Sequence, residues 1–230
     1  MAEPAQRDSV PPVLFLVWRR PSATRQLIDA LRPLRPERIF VSGDGPKGDD
    51  DEADVRRVRE LIDEAIDWDC ELITRFSPEN LGCEKGVTSG IDWFFTFVEY
   101  GVVLEDDLVP HPDFLRLSRE LLERYRDDKR VWAICGHNES ALGGDEQGSV
   151  AGFPEGSSYA FLPYFHPWGW ATWRDRWARY DRDLKLWREQ RISAEFERLC
   201  LDVDEEYTWR WIFESLVGPE GGGCLGLALG

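Results

Sequence analysis

Three consecutive carboxylates, Glu105, Asp106 and Asp107, close a short apolar run in the stretch GVVLEDDLVPHPDF, Gly101 to Phe114. Val102, Val103 and Leu104 predict a buried strand of a parallel sheet, with Gly101 at its start. The acids then fall at the carboxyl end of that strand, where open α/β sheets place their ligands. Side chains alternate along an extended backbone, so Glu105 and Asp107 are expected to face one way and Asp106 the other. Like charges this close repel, raise one another's pKa and call for a partner. A divalent cation ligated by oxygen, Mg²⁺ or Mn²⁺, meets that need. The plainer reading is a solvated acidic turn before a helix, with Asp113 favoured by the helix dipole.

The elements that must position these acids can be read outward from them. Val13 to Trp18 (VLFLVW) predicts a central strand, followed by Arg19 and Arg20. That basic pair is either a solvated turn or an anion contact at a strand end. Pro21 and Ser22 open a helix through Leu31, with a proline and a capping hydroxyl near its start. Arg38 to Ser42 predicts a second strand, and Gly43 to Gly48 after it matches G-x-G-x-x-G as a string. A dinucleotide fingerprint is rejected there. It follows the second strand rather than the first, Pro46 and the acids Asp49 to Glu52 crowd the pyrophosphate position, and no acid stands at the needed later strand end. Those acids instead begin a helix from about Glu52 to Trp68.

Cys70 to Arg75 predicts a third strand. A helix with Val87, Ile91, Phe94, Phe95 and Val98 on its apolar side runs to about Tyr100, and Phe114 to Tyr125 is another. Val131 to Cys135 predicts a further strand. The repeated β-α order implies an α/β chain with a mostly parallel central sheet flanked by helices, a Rossmann-like architecture.

The texture changes after Gly136. Gly143 to Gly156 is a mobile loop by composition, and Ser158 to Phe165 an aromatic strand candidate. His166 to Asp181 reads as a turn feeding a Trp-rich helix, in which Trp170, Trp173 and Trp177 share one face. Trp168 stands before Gly169 in the turn. Helices are expected at Ile192 to Leu201 and Glu205 to Leu216. Met1 to Pro11 and Gly218 to Gly230 are expected to be poorly ordered. The resulting division is an α/β half over residues 12–136 and a smaller part over 137–217.

Composition narrows the partners. The 230 residues carry 28 Lys and Arg against 44 Asp and Glu, a formal charge of -16, and no basic stripe, which argues against nucleic acid or an anionic membrane. An anionic substrate would need a metal or a few local Arg and Lys to offset this field. The five cysteines are odd in number and lack C-x-x-C, so neither a disulfide framework nor a zinc knuckle is indicated, and a reducing, cytoplasmic compartment is the default. No leader is evident, and no apolar run is long enough for an integral membrane segment.

A nucleotide-sugar transferase fits these pieces: such an enzyme holds a diphosphate, neutralises the charge that grows on it, and offers an acceptor hydroxyl a base. At this point VVLEDDLVPHPDF, with VSGDG before it and WGWATW after it, carries a resemblance. It resembles the metal-binding EDD motif and flanks of glycosyltransferases similar to N-acetylglucosaminyltransferase I, which have the GT-A fold. It is also similar to bacterial transferases with N-x-G and a helix ending in W-F-F, here Asn80 to Phe95. The resemblance spans roughly Pro12 to Trp211.

The resemblance implies a metal-dependent, inverting hexosyl transfer from a nucleotide sugar, a UDP-sugar, to a glycan or other hydroxyl acceptor. Asp107 would ligate Mn²⁺ (or Mg²⁺), Glu105 and Asp106 would address sugar and ribose hydroxyls, Arg20 the nucleotide and Asp44 the uracil. His166, Trp168 and Trp170 would line the acceptor pocket, with an acceptor-side part at the C-terminal end. The pattern departs at the base. The family has an Asp in a late W-D segment, whereas here Arg210 follows Trp209, leaving Asp204, Glu205 or Glu206, of which Asp204 can equally be an N-cap. The final GPEGGGCLGLALG does not resemble the family's closing segment, which leaves open whether the tail is native or the chain is truncated or altered there. Two other readings stand beside this one. A nucleotidyltransferase would want a Gly-rich loop where WRRPSA stands, and a catalytically impaired GT-A-like domain would bind a carbohydrate or partner.

Overall fold

In a computed structural model, the described residues are 10–137, 157–162, 165–190, 194–200 and 203–217. The chain divides into two compact units, Met1–Trp177 and Ala178–Gly230. The first is an α/β unit built on one six-stranded sheet of order β3-β2-β1-β4-β6-β5. The strands are β1 (Val13–Val17), β2 (Arg38–Gly43), β3 (Glu71–Phe76), β4 (Tyr100–Glu105), β5 (Ile134–Cys135) and β6 (Trp170–Trp173). The pairs β1·β2, β2·β3 and β1·β4 are parallel, and β6 runs antiparallel to both β4 and β5.

All five residues of β1 are buried because it is sandwiched between parallel neighbours and covered on both faces. On one face Val13, Phe15 and Val17 join a core with Leu27, Ile28 and Leu31 of α1 (Pro21–Leu31) and Val58, Leu61 and Ile62 of α2 (Asp49–Ala65). Leu115, Leu121 and Leu122 of α4 (Pro112–Arg124) join the same core. On the other face Phe40 meets Phe94 of α3 (Cys83–Phe94) edge to face at 5.0 Å. Gly90 lets α3 lie close to the sheet: a Cβ there would stand 2.8 Å from Leu16 Cδ2 and 2.9 Å from Ser42 Oγ.

Several expectations are corrected. The segment Trp170–Trp173 is a strand, not part of a Trp-rich helix: pairing Val103↔Trp170 and Cys135↔Trp170 on either side outweighs its helical spacing. Only one helical turn, α5 (Arg174–Trp177), follows it. The part expected to stand apart after residue 136 thus adds a strand to the sheet. Trp173 is core, and Trp177 Nε1 donates to Asp92. Arg176, 4% exposed, donates to the carbonyls of Tyr125, Arg126 and Asp128, filling acceptors left where α4 ends.

The strand at Val131–Cys135 shrinks to Ile134–Cys135, and Ser158–Leu162 forms no strand. Helix α3 stops at Phe94, where Thr96 and Phe97 close tight turns onto Trp93 and Phe94, so Tyr100 is free to begin β4. Helix α2 begins at Asp49, its first turn wholly acidic. Ser22 makes no cap, and Arg20 occupies the N-cap position of α1. Cys70, Cys135 and Cys200 are free, but Cys83 is disulfide-bonded, a pairing that spacing alone cannot reveal. Residues 1–9 and 218–230, expected to be poorly ordered, and the loop expected over 143–156 lie outside the described residues.

The second unit contains α6 (Lys185–Gln190), α7 (Ala194–Leu199) and α8 (Val203–Val217). Helix α6 was not foreseen. Its Trp187 stacks on Phe213 at 4.6 Å and meets Phe196 edge-on at 5.0 Å, giving the unit a small aromatic core. Among the described residues no helix is long and apolar enough to cross a membrane.

Candidate functional site

The sheet order has one topological switch point. From β1 the chain moves outward through β2 and β3, then returns to place β4 on β1's other side. Crevices at such points, beyond the carboxyl ends of the strands, are where open α/β sheets bind ligands. The register Leu16↔Glu105 brings Trp18, Arg19 and Arg20 after β1 beside the acids after β4.

Glu105 is the last residue of β4, and Asp106 and Asp107 lie in a turn closed by Leu108 N–H donating to the Glu105 carbonyl at 3.2 Å. The expected alternation therefore fails at Asp106, because the extended backbone ends one residue before it. Asp106 and Asp107 share one partner instead. Arg20 Nη1 donates to Asp106 Oδ1 at 3.2 Å and to Asp107 Oδ2 at 2.5 Å. The other oxygen of Asp106, Oδ2, accepts from the Trp18 backbone N–H at 3.1 Å. Asp106 is buried, whereas the side chains of Asp107 and Arg20 are half exposed.

Asp44 follows β2 and ties two loops together. Its Oδ1 accepts from the backbone N–H of Gly45 at 2.9 Å and of Leu81 at 2.8 Å, and Oδ2 lies toward Gly86 of α3. The Gly45 carbonyl accepts from Trp18 Nε1 at 2.9 Å and from Asn80 Nδ2 at 2.8 Å. These bonds frame a cleft of about 240 Å³. Its charged lining residues are Asp44, Glu105 and Asp106 against Arg20, Lys47 and Arg75. In a chain of formal charge -16, the cleft's acids and bases are locally balanced.

Trp18, Lys47 and Arg75 were missed as site residues. Trp18 carries Arg19 over its ring at 4.4 Å and Lys47 at 5.1 Å, and Arg75 Nη1 donates to the Ser89 carbonyl at 2.6 Å. The strand-end argument applied to Arg20 would have found Trp18 and Arg75 as well. Of the other predicted residues, Trp170 is buried within β6 and does not line the cleft, and neither do His166 and Trp168. Trp168 is half exposed and packs edge-on against His137 at 4.7 Å, with His166 at 6.2 Å. This cluster precedes β6, and Gly169, with φ of 75°, turns the chain beside Leu104 and Leu108 at the end of β4. His137 carried no signal in the sequence.

Asp204 and Glu206 lie on α8 in the second unit, while the cleft is lined wholly from the first. Asp204 sits inside the helix rather than capping it, and Glu206 accepts from Arg210 Nε at 2.7 Å. The side chain of Glu205 lies outside the described residues.

Burial pushes the carboxyls of Glu105 and Asp106 above their ordinary range. For Glu105 the neighbouring Asp107 and Asp106 add to the effect; for Asp106 the Trp18 N–H and Arg20 work against it. Arg20 is in turn held charged by its bond to Asp107 and by the fields of Asp106 and Glu105. A carboxyl whose folded pKa is raised binds protons more readily than in the unfolded chain, so stability falls as pH rises through that raised value. Glu105→Gln is therefore expected to melt higher than the wild type at pH 7, with the gain vanishing below about pH 4 where both forms are neutral. Thermal melts across that range check it; a lower melting point at pH 7 would contradict the burial argument.

Among the described residues, no group of three or more His, Cys, Asp or Glu side chains is arranged to hold a metal. Mg²⁺ and chemically similar cations do not require one, since they bind through one or two carboxylates, waters and substrate phosphates. The donors here are all oxygen, and the Arg20 guanidinium already occupies a cationic position between Asp106 and Asp107. Asp107, the residue expected to ligate the metal, is not among the residues that line the cleft. The fold and cleft thus define an α/β unit with a mostly parallel sheet and a charged crevice at its switch point. No protein-family model matches the chain, and no curated protein matches it.

Proposed function

We propose that the chain is a metal-dependent, inverting glycosyltransferase of the GT-A type, transferring a sugar from a UDP-sugar to an acceptor hydroxyl. The observation that carries this reading is the meeting of Arg20 and Asp106 in a cleft at the β1/β4 crevice that also takes in Asp44, with Asp107 bound to the same Arg20 just outside the lining.

In this reading Asp44 Oδ2 accepts a base N–H while Oδ1 keeps the cleft loops in place. Lys47 and Arg75 add positive charge to the cleft wall, and Glu105 and Asp106 accept from sugar and ribose hydroxyls. Asp107 would hold Mn²⁺ or Mg²⁺, which when bound supplies charge neutralisation for the departing diphosphate. A bond forms from the acceptor oxygen to the anomeric carbon as the bond to the diphosphate breaks. The acceptor's proton passes to a carboxylate base. The bond of Glu206 to Arg210 favours a second reading, a binding domain without turnover. Release of UDP from a UDP-sugar at any measurable rate would exclude that alternative.

Isothermal titration of the full chain with UDP tests the proposal. Binding should tighten at least tenfold with Mn²⁺, and Asp107→Ala should abolish the metal dependence. Binding indifferent to Mn²⁺, or unchanged in that variant, would overturn it.

A further inference from the structure

We propose that Gly86 determines what the cleft accepts: the side chain it lacks keeps Asp44 Oδ2 open to the edge N–H of a flat heteroaromatic ring. This rests on the glycosyltransferase reading above, in which Asp44 takes a base N–H, and adds the residue that makes that oxygen reachable.

Glycine recurs at every fourth position into and along α3, at Gly82, Gly86 and Gly90. The fold accounts for two of the three. Gly82, with φ of 79°, holds a backbone conformation that other residues rarely adopt, where the chain enters the helix. Gly90 lets the helix lie against the sheet, since a Cβ there would run into Leu16 and Ser42. Gly86 has neither reason. It sits within the helix, its N–H donating to the Gly82 carbonyl at 2.8 Å. The three nearest neighbours of a Cβ there would all be Asp44 side-chain atoms, with Oδ2 at 3.4 Å and Cγ at 3.6 Å, which is ordinary van der Waals contact. Glycine is the poorest helix former after proline, so packing permits alanine at this position and helix propensity favours it.

What the absent methyl leaves uncovered is the oxygen of Asp44 that the fold does not use. Oδ1 is taken by the backbone N–H groups of Gly45 and Leu81, which fix the carboxylate from two loops. Among the described residues none donates to Oδ2, and Asp44 and Gly86 both line the cleft. A carboxylate held in this way is a preset acceptor that cannot turn to follow a ligand. The donor nitrogen must come within about 3 Å of Oδ2, and a methyl carbon in contact with that same oxygen would stand in its path. The edge of a flat ring suits the opening, because Trp18, Leu81 and Val87 give the cleft apolar walls around this one acceptor.

Isothermal titration of the full chain with UMP and with its N3-methyl derivative, neither of which calls for a metal, tests this alongside thermal melts. The wild type should bind UMP at least about tenfold more tightly than the N3-methyl compound, which cannot donate from that edge. Gly86→Ala should bind UMP at least about tenfold more weakly than the wild type and should no longer distinguish the two compounds. It should nevertheless melt about 2–4 °C higher. A lower melting point, or failure to fold, would show that the fold itself requires the glycine and would overturn the proposal. UMP binding by Gly86→Ala within about threefold of wild type, or discrimination retained in it, would overturn it as well. A wild type that binds both compounds equally would overturn the proposal while leaving the glycosyltransferase reading in place, whereas one that binds neither would overturn both.

Discussion

Asp106→Ala is expected to lower UDP affinity in the presence of Mn²⁺ by at least about 100-fold and to cost about 1–3 kcal/mol of stability. Asp106 is the one acid of the triplet tied to both strand ends. It receives the Trp18 N–H from the β1 side and Arg20 from the start of α1, while itself following β4. Removing the carboxylate leaves the Trp18 amide without its acceptor and leaves Arg20 held by the exposed Asp107 alone. The stability loss should fall at the lower end of that range, because deleting a carboxylate that burial disfavours returns part of the cost. Asp106→Asn separates the two effects. Its amide oxygen can still accept from Trp18, so stability should stay within about 1 kcal/mol of wild type, while the lost charge still weakens binding. Urea denaturation and UDP titration on the same preparations check both. Asp106→Ala binding UDP within threefold of wild type would remove Asp106 from the site.

Gly101→Ala is the second large effect, and it acts on the fold. A Cβ at residue 101 would stand 2.3 Å from Phe94 Cζ and 2.8 Å from the Pro12 carbonyl oxygen. Phe94 is fully buried and wedged against Phe40 at 5.0 Å and Phe95 at 5.1 Å, so its ring has little room to retreat. Pro12 O is fixed too, as acceptor for Val102 N–H at 2.9 Å. Close-packed interiors resist even one added carbon, and a loss of about 3 kcal/mol or more is expected. Shortening the ring should relieve part of it, so the double variant Gly101→Ala/Phe94→Leu should be more stable than Gly101→Ala alone. Denaturation midpoints decide; a fully additive loss would show that the ring is not what the new methyl meets.

These outcomes depend on features of unequal legibility. The strands VLFLV and GVVLE could be read because uninterrupted apolar runs ending in charge are what a doubly covered parallel strand requires. The same reasoning placed Arg20 and the acids at strand ends. It stopped short of Trp18, Lys47 and Arg75, which the cleft brings in from the residue after β1, the loop after β2 and the third strand. WATW was misread because a short apolar run fits a helix or a strand equally well, and its tryptophans happen to repeat at helical intervals.

The order of elements, the covered faces of β1 and the presence of acids where an inner strand ends were determined by local composition, which acts through the residues next in the chain. Tertiary structure alone decided that β6 inserts antiparallel beside β4, that Asp106 and Asp107 turn to the same guanidinium, and that Asp44 spends one oxygen on a loop 37 residues away. Those outcomes arise from backbone and side-chain partners far apart in sequence, and such pairings leave no period or spacing for a linear reading to detect.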